Sequence, residues 1–296
     1  MIDGSKRISD LSRDAIGLLA GVSRSPQLDA ELIISFVTGF SRPQIIGFPE
    51  RILSVEQVKR CEELFERRKR GEPVAYLVGK KEFYGRDFEV NSDVLVPRPE
   101  TELIVERVIS YLSVEKGAAR ILDLGTGSGC LAISIASWFK EVGRPCSVSA
   151  VDQSAEALEV AQRNASRLGV GNLISFVLSD WFAALNKDDV FDVIVANPPY
   201  IPIDQPDLDL SLSYEPHSAL FSGNDGLNEI RRFFPEVRRH LAPYGIFLCE
   251  IGYNQGQQVS NIWIQNNGAS SDVHRVLVDL AGLDRIFIAG SRFARI

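Results

Sequence analysis

Ile121-Leu122-Asp123-Leu124-Gly125-Thr126-Gly127-Ser128-Gly129 is a short apolar strand running into a glycine loop, and a helix follows through Ala132, Ile135 and Trp138. The glycines let the turn tighten and let backbone approach a ligand closely. Their spacing is Gly-x-Gly-x-Gly, whereas the loop that packs a pyrophosphate against a helix reads Gly-x-Gly-x-x-Gly. No phosphate-binding lysine follows, which excludes a P-loop. Further along, Ser147 to Val151 reads as a strand and Ala155–Arg167 as a helix ended by Gly169. Ile174 to Leu178, Val190 to Ala196 and Ile246 to Glu250 supply more strands, with the helix Leu227–Leu241 before the last of them. Such alternation predicts an α/β fold, a mostly parallel sheet covered on both faces. Two late strands near Arg275–Leu280 and Arg285–Ala289 suit an antiparallel edge pair.

Upstream the pattern changes. Residues 1–75 read as a small helical domain, with apolar positions at helical spacing from Ala15 to Leu19 and from Asp29 to Val37. The clearest helix runs from Ser54 to Arg70. Ser54 and Gln57 form a capping box, Val55, Val58, Cys61, Leu64 and Phe65 make one apolar face, and Gly71 ends it. The basic run Arg67-Arg68-Lys69-Arg70 reads either as a solvated cap that complements the helix dipole or as a partner contact. Residues 76–96 form a joint: a hairpin turning near Gly85, then Val94-Leu95-Val96 as a further short strand. The larger domain spans 97–296.

Composition narrows the function. The chain has 296 residues and a formal net charge of −7, which argues against a broad, non-specific grip on nucleic acid. No apolar run is long enough to span a bilayer, and the first thirty residues lack a signal-like core, so a cytoplasmic protein is expected. The cysteines Cys61, Cys130, Cys146 and Cys249 show no paired spacing and read as reduced thiols. Three histidines, none at metal-ligand spacing, give no metal site.

Three acids fall at successive strand ends, on the edge where open α/β sheets bind ligands. Asp123 opens the glycine loop. Asp152 ends the second strand, where a carboxylate can accept from both ribose hydroxyls of a nucleoside. Asp180 follows the third, with Trp181 beside it: the acid can accept from an adenine amino group and the indole can pack on the ring. Together with Gly125, Thr126, Gly127, Ser128 and Gly129 they imply an adenosine ligand with no essential phosphate, which S-adenosylmethionine fits best. The fourth strand stops on Asn197-Pro198-Pro199-Tyr200. Two prolines fix two φ angles and end the ladder. Asn197 then offers an amide oxygen, Pro198 a carbonyl and Tyr200 a flat face, a set suited to a planar NH2 group, although a strand ending in a proline turn would read the same. Asn197, Pro198, Pro199 and Tyr200 are the candidate catalytic set, and Asn197 also borders the cofactor.

With these motifs the chain resembles the release-factor-specific protein-(glutamine-N5) methyltransferases. The resemblance rests on Asp123 to Gly129, Ser179-Asp180-Trp181-Phe182, Asn197-Pro198-Pro199-Tyr200-Ile201 and Tyr214-Glu215-Pro216. Glu82-Phe83-Tyr84-Gly85 and Leu95-Val96-Pro97-Arg98-Pro99-Glu100-Thr101-Glu102 extend it, so that it spans nearly the whole chain. It implies a Rossmann-like class I S-adenosylmethionine-dependent methyltransferase domain behind a helical clamp on the substrate. The implied reaction methylates the glutamine amide in the Gly-Gly-Gln loop of class 1 peptide-chain release factors, modulating translation termination and leaving S-adenosylhomocysteine. A monomer with no nucleic acid requirement is expected. Arg98 stands near the mouth of the site, as a contact to substrate or as a structural ion pair. The polar stretch Asn254–Ser271 is the least typical, and no site residue is carried into it. The rival is an adenine-N6 methyltransferase on DNA or RNA, since adenine also presents a planar NH2 group. It needs a basic strand-binding surface, yet residues 76–296 hold 20 Lys/Arg against 28 Asp/Glu.

Overall fold

The computed structural model describes residues 4–114, 117–267 and 273–290. The chain divides into two compact units, one of Met1–Lys80 with Asp207–Tyr214 and one of Lys81–Pro206 with Glu215–Ile296.

In the first unit, β1 (Lys6–Arg7) pairs antiparallel with β2 (Ile52–Leu53), and five helices build the core: α1 (Ile8–Leu19), α2 (Pro26–Thr38), α3 (Arg42–Gly47), α4 (Val55–Lys69) and α5 (Val74–Val78). Ser54 caps α4 in a reciprocal box with Gln57. Val58, Cys61, Leu64 and Phe65 pack against Leu11, Leu19, Ile33 and Ile34. Val55, one turn earlier, is exposed and does not belong to that face. The basic run is a solvated cap only in part: Lys69 and Arg70 are exposed and Arg67 pairs with Glu72, whereas Arg68 is buried and its Nε meets Asp29 Oδ2 of α2 at 2.7 Å. Asp207–Tyr214 joins this unit from far along the chain. The Tyr214 hydroxyl donates to the Arg70 carbonyl at 3.2 Å, and a Cβ on Gly71 (φ +104) would sit 2.9 Å from that of Leu210.

The second unit begins inside a hairpin, β3 (Lys80–Phe83) and β4 (Arg86–Glu89), turned by Tyr84 and Gly85, both at positive φ as a two-residue type I′ turn requires. Val94-Leu95-Val96 is not a strand. Its Val96 N–H is taken by the Glu215 carboxylate at 2.9 Å rather than by a ladder partner. The alternation then runs α6 (Glu102–Ser113), β5 (Ala119–Leu124), α7 (Cys130–Glu141), β6 (Cys146–Asp152), α8 (Ala155–Arg167), β7 (Ile174–Leu178), β8 (Phe191–Ala196), α9 (Asn228–His240), β9 (Leu241–Glu250), α10 (Gly256–Asn267), β10 (Val273–Val278) and β11 (Asp284–Gly290). Residues 268–271 of the polar stretch lie outside the described residues.

The strands lie in the order β10-β11-β9-β8-β5-β6-β7. Five are parallel, and β11 runs antiparallel to both its neighbours, the late pair expected at one edge. Side chains alternate through the sheet as the pleat demands. Ile121, Val193, Val195 and Leu248 face α6 and α7, while Leu122, Ile194, Phe247 and Cys249 face the aromatic layer of α9 and α10. From β5 the chain steps outward through β6 to β7, then crosses back to β8. The switch point therefore opens between the carboxyl ends of β5 and β8, the place where such sheets bind ligands.

Candidate active site

At that switch point lies a cavity of about 200 Å³ whose wall includes Gly125 to Ser128, Asp152, Asp180, Trp181, Asn197 and Pro199. The glycine loop is shaped by its backbone. Gly125 and Thr126 N–H both donate to the Val151 carbonyl at 2.9 Å, and Gly125, Gly127 and Gly129 all adopt left-handed φ. A Cβ on Gly129 would meet Ile133 Cδ1 at 2.7 Å and Ala161 Cβ of α8 at 3.2 Å, so this glycine lets α7 start tight against α8. A Cβ on Gly127 would meet nothing within 4 Å, because that glycine borders open space.

Beneath the loop, Asp123 Oδ2 accepts from the Thr126 hydroxyl at 2.7 Å and from Ala132 N–H at 3.1 Å. Burial pushes this carboxyl up to about 7, against those two hydrogen bonds. Its Oδ1 is buried without a hydrogen-bond partner. Asp152 Oδ2 accepts from Gly127 N–H at 2.8 Å and Oδ1 from Ser154 N–H at 3.0 Å. Burial raises its pKa, opposed by these backbone donors. Each oxygen keeps a lone pair, enough for two ribose hydroxyls.

Trp181 has a left-handed backbone (φ 50), unusual for a bulky residue. Ser179 holds the turn: its hydroxyl donates to the Trp181 carbonyl at 3.0 Å and accepts from Ala184 N–H at 2.9 Å. The indole stacks on Phe233 at 4.5 Å between centroids, and its Nε1–H donates to Glu229 at 2.8 Å. Asp180 sits at the exposed rim with Oδ2 on Arg232 at 2.6 Å.

The tetrad is held from behind. Asn197 Nδ2 donates to Thr101 Oγ1 at 3.2 Å, and that hydroxyl donates to Glu250 Oε2 at 2.7 Å. The Tyr200 hydroxyl donates to the other oxygen, Oε1, at 3.1 Å. Glu250 ends β9 fully buried. Burial raises its pKa, while Thr101, Arg285 and Tyr200 favour the charged form and Glu100 disfavours it. Burial, with the Glu250 charge, also pushes the Tyr200 hydroxyl well up. Pro198 and Tyr200 do not border the cavity as Asn197 and Pro199 do. Tyr200 is instead anchored at its hydroxyl and at its carbonyl, which accepts from Gln255 Nε2 at 3.0 Å. Arg98 resolves to the ion pair: it meets the buried Glu215 at 2.5 Å, and the same carboxylate takes Val96 N–H, tying two segments of the cavity wall together.

The sequence places Thr101 and Glu215 only within motifs that carry the resemblance, with no role of their own, and Glu250 only as the end of a strand. For Glu250 a signal existed, an acid closing an apolar strand as Asp152 does. Among the described residues, no group of three or more His, Cys, Asp or Glu is placed to hold a metal ion, and no helix is long and apolar enough to cross a membrane.

Comparison with known proteins bears on the family and the fold. A family described as "Methyltransferase domain" matches residues 115–275, and one described as "PrmC N-terminal domain" matches 10–79. Proteins named release factor glutamine methyltransferase match over nearly their whole length. The one from Koribacter versatilis is 39% identical over 92% of this chain and 93% of its own. Those from Neisseria gonorrhoeae and Escherichia coli are 40% and 39% identical, covering 90% and 85% of this chain and 94% and 88% of theirs. Among solved structures, the hMettl16 catalytic domain bound to an RNA hairpin superposes with TM-score 0.55 at 14% identity, covering 82% of this chain and 85% of that one. A T. thermophilus 16S rRNA methyltransferase in complex with AdoMet and guanosine gives 0.50 at 19%, covering 72% and 50%. At those identities the two structures speak for the fold alone. From the extent and identity of the sequence matches, the chain belongs to the release factor glutamine methyltransferase family.

Proposed function

We propose that this protein transfers a methyl group from S-adenosylmethionine to the side-chain amide nitrogen of the glutamine in the Gly-Gly-Gln motif of class 1 peptide-chain release factors. One observation carries the reading: a single cavity is bordered both by the nucleoside-type set (Gly125 to Ser128, Asp152, Trp181) and by Asn197 of the acceptor tetrad. The residues fit the cofactor. Gly127 faces open space at the cavity wall, and Asp152 beside it keeps a lone pair on each carboxylate oxygen. Asp152 takes the ribose hydroxyls, Trp181 and Asp180 the adenine. When bound, the cofactor supplies an electrophilic methyl group on sulfonium.

The protein's task is then alignment. An amide nitrogen is a poor nucleophile because its lone pair is shared with the carbonyl. Asn197 Oδ1, on the cavity wall, accepts one of its N–H groups and favours a more pyramidal nitrogen as charge develops. The Pro198 carbonyl and the Tyr200 ring, set back from that wall, receive the other N–H and limit rotation of an amide that reaches past it. No histidine or lysine is among the described residues that border the cavity, and among its acids Asp152 and Asp180 serve the cofactor while Glu229 holds Trp181; the proton leaves to water or a backbone acceptor after methyl transfer. A lysine ammonium in this place would keep one N–H unpaired, and a carboxylate would face acceptors only. The helical first unit serves recognition of the protein substrate. The enzyme acts as a monomer in the cytoplasm without nucleic acid.

The test offers labelled cofactor with a release factor, DNA and RNA in parallel, followed by fragment mass spectrometry. One methyl on the Gly-Gly-Gln glutamine is expected. Label in adenine, with none on the factor, would replace this reading by the rival.

A further inference from the structure

We propose that Thr101 and Glu250 are positioning residues which hold the Asn197 carboxamide in one of its two flips, so that Oδ1 and not Nδ2 is presented to the acceptor. The inference rests on the reading of Asn197 as the group that accepts from the substrate NH2. A carboxamide is nearly symmetric in shape, and a half-turn about its last bond exchanges an acceptor for a donor. At the end of a strand nothing local prevents that turn. Toward a substrate NH2 the wrong flip sets donor against donor.

The geometry removes the ambiguity through a chain of polarity. Glu250 is buried, and as a carboxylate it only accepts. Thr101 has one proton, which goes to Glu250 Oε2 at 2.7 Å. Its oxygen therefore meets any third group as an acceptor, and the Asn197 atom 3.2 Å away must be the donor Nδ2. Oδ1 then lies on the opposite side of the amide, away from Thr101. The other carboxylate oxygen takes the Tyr200 hydroxyl at 3.1 Å, so one buried acid sets the orientation of both polar side chains of the tetrad. Thr101 is itself buried at the start of α6, where its side chain has little room to turn.

The experiment compares Thr101→Val, Thr101→Ser and Asn197→Ala with the parent. It measures kcat and KM on a release factor, cofactor affinity by calorimetry, and thermal unfolding. Valine keeps the shape and removes the hydroxyl, whereas serine keeps the hydroxyl. Thr101→Val is expected to lower kcat about 10-fold, against about 100-fold for Asn197→Ala, with cofactor affinity and melting temperature near the parent's and kcat restored in Thr101→Ser. Parent-like kcat in Thr101→Val, while Asn197→Ala is impaired, overturns the proposal. Parent-like kcat in Asn197→Ala overturns the reading beneath it instead. A second readout needs neither turnover nor a variant. In ¹⁵N-labelled parent protein without cofactor, the Asn197 side-chain amide protons are expected to exchange with water far more slowly than those of a free asparagine. Exchange at the free rate overturns the proposal even if Thr101→Val does not fold.

Discussion

Asp123 and its loop show how single residues divide between folding and binding. Burial holds the Asp123 carboxyl up to about 7, from an ordinary value of 3.8. Because the folded pKa lies above the unfolded one, the stabilising effect of protonation is complete below about pH 4 and is lost as pH rises through about 7. Asp123→Asn, which cannot ionise, is expected to lose less stability than the parent between pH 5 and pH 8 in urea unfolding; parallel profiles would assign the pH dependence to other groups. The glycines separate in the same way. Gly129→Ala drives a methyl group into Ile133 and Ala161 at a left-handed φ, a change costing on the order of 1–3 kcal/mol. Gly127→Ala shares the left-handed φ, at a folding cost of about 1 kcal/mol, but meets no neighbour and places its methyl beside the cavity, so it is expected to lower the melting temperature less than Gly129→Ala and to weaken cofactor binding more. Calorimetry and melting of the two variants check the contrast, and a Gly127→Ala protein with unaltered affinity would remove this glycine from the cofactor site.

At the scale of elements, α4 is joined to α2 by the Arg68–Asp29 pair, with side chains only 10% and 8% exposed. Removing one partner leaves a buried charge, so Asp29→Ala is expected to cost about 3–5 kcal/mol in denaturant unfolding of the helical unit. Lys69→Ala, whose exposed ammonium is 4.0 Å from Glu66, is expected to cost less than about 1 kcal/mol. Equal effects would mean that burial does not distinguish the two. The basic run illustrates what a sequence conveys. Helical period and capping box mark α4 locally, and the strand–helix alternation marks the sheet, because each is written in neighbouring residues. The partner of Arg68 lies in another helix, 39 residues away. Val94-Leu95-Val96 looks like a strand for the same reason: nothing nearby reveals that Glu215, 119 residues on, takes its N–H. In the site, the glycine loop, Asp152, Trp181 and Asn197 stand at predictable strand ends and were legible. The Thr101–Glu250 hydrogen bond spans 149 residues and leaves no local pattern.

For the whole molecule, the division of the core decides how ligand energy is distributed. The helical core from Ile8 to Leu77 and the two layers around the seven-stranded sheet share no residue among those described. A ligand stabilises only what must be folded to bind it. At a cofactor concentration of one hundred times Kd the gain is about 2.7 kcal/mol, and the cavity lies wholly in the second unit. Cofactor is therefore expected to slow amide hydrogen exchange in β5, β6 and β8 and to leave α1, α2 and α4 at their original rates. A release factor, if the helical unit recognises it, should slow exchange in those helices. The chain leaves the second unit after Pro206, just past the tetrad, and returns at Glu215, just before the cavity-bordering Pro216. Asp207–Tyr214 should therefore follow the helices and not the sheet, responding to the factor and not to the cofactor. Exchange mass spectrometry with each ligand separately makes the measurement. Equal slowing of all these segments by cofactor alone would mean that the two units open as one, and that substrate recognition and cofactor binding draw on a single cooperative structure.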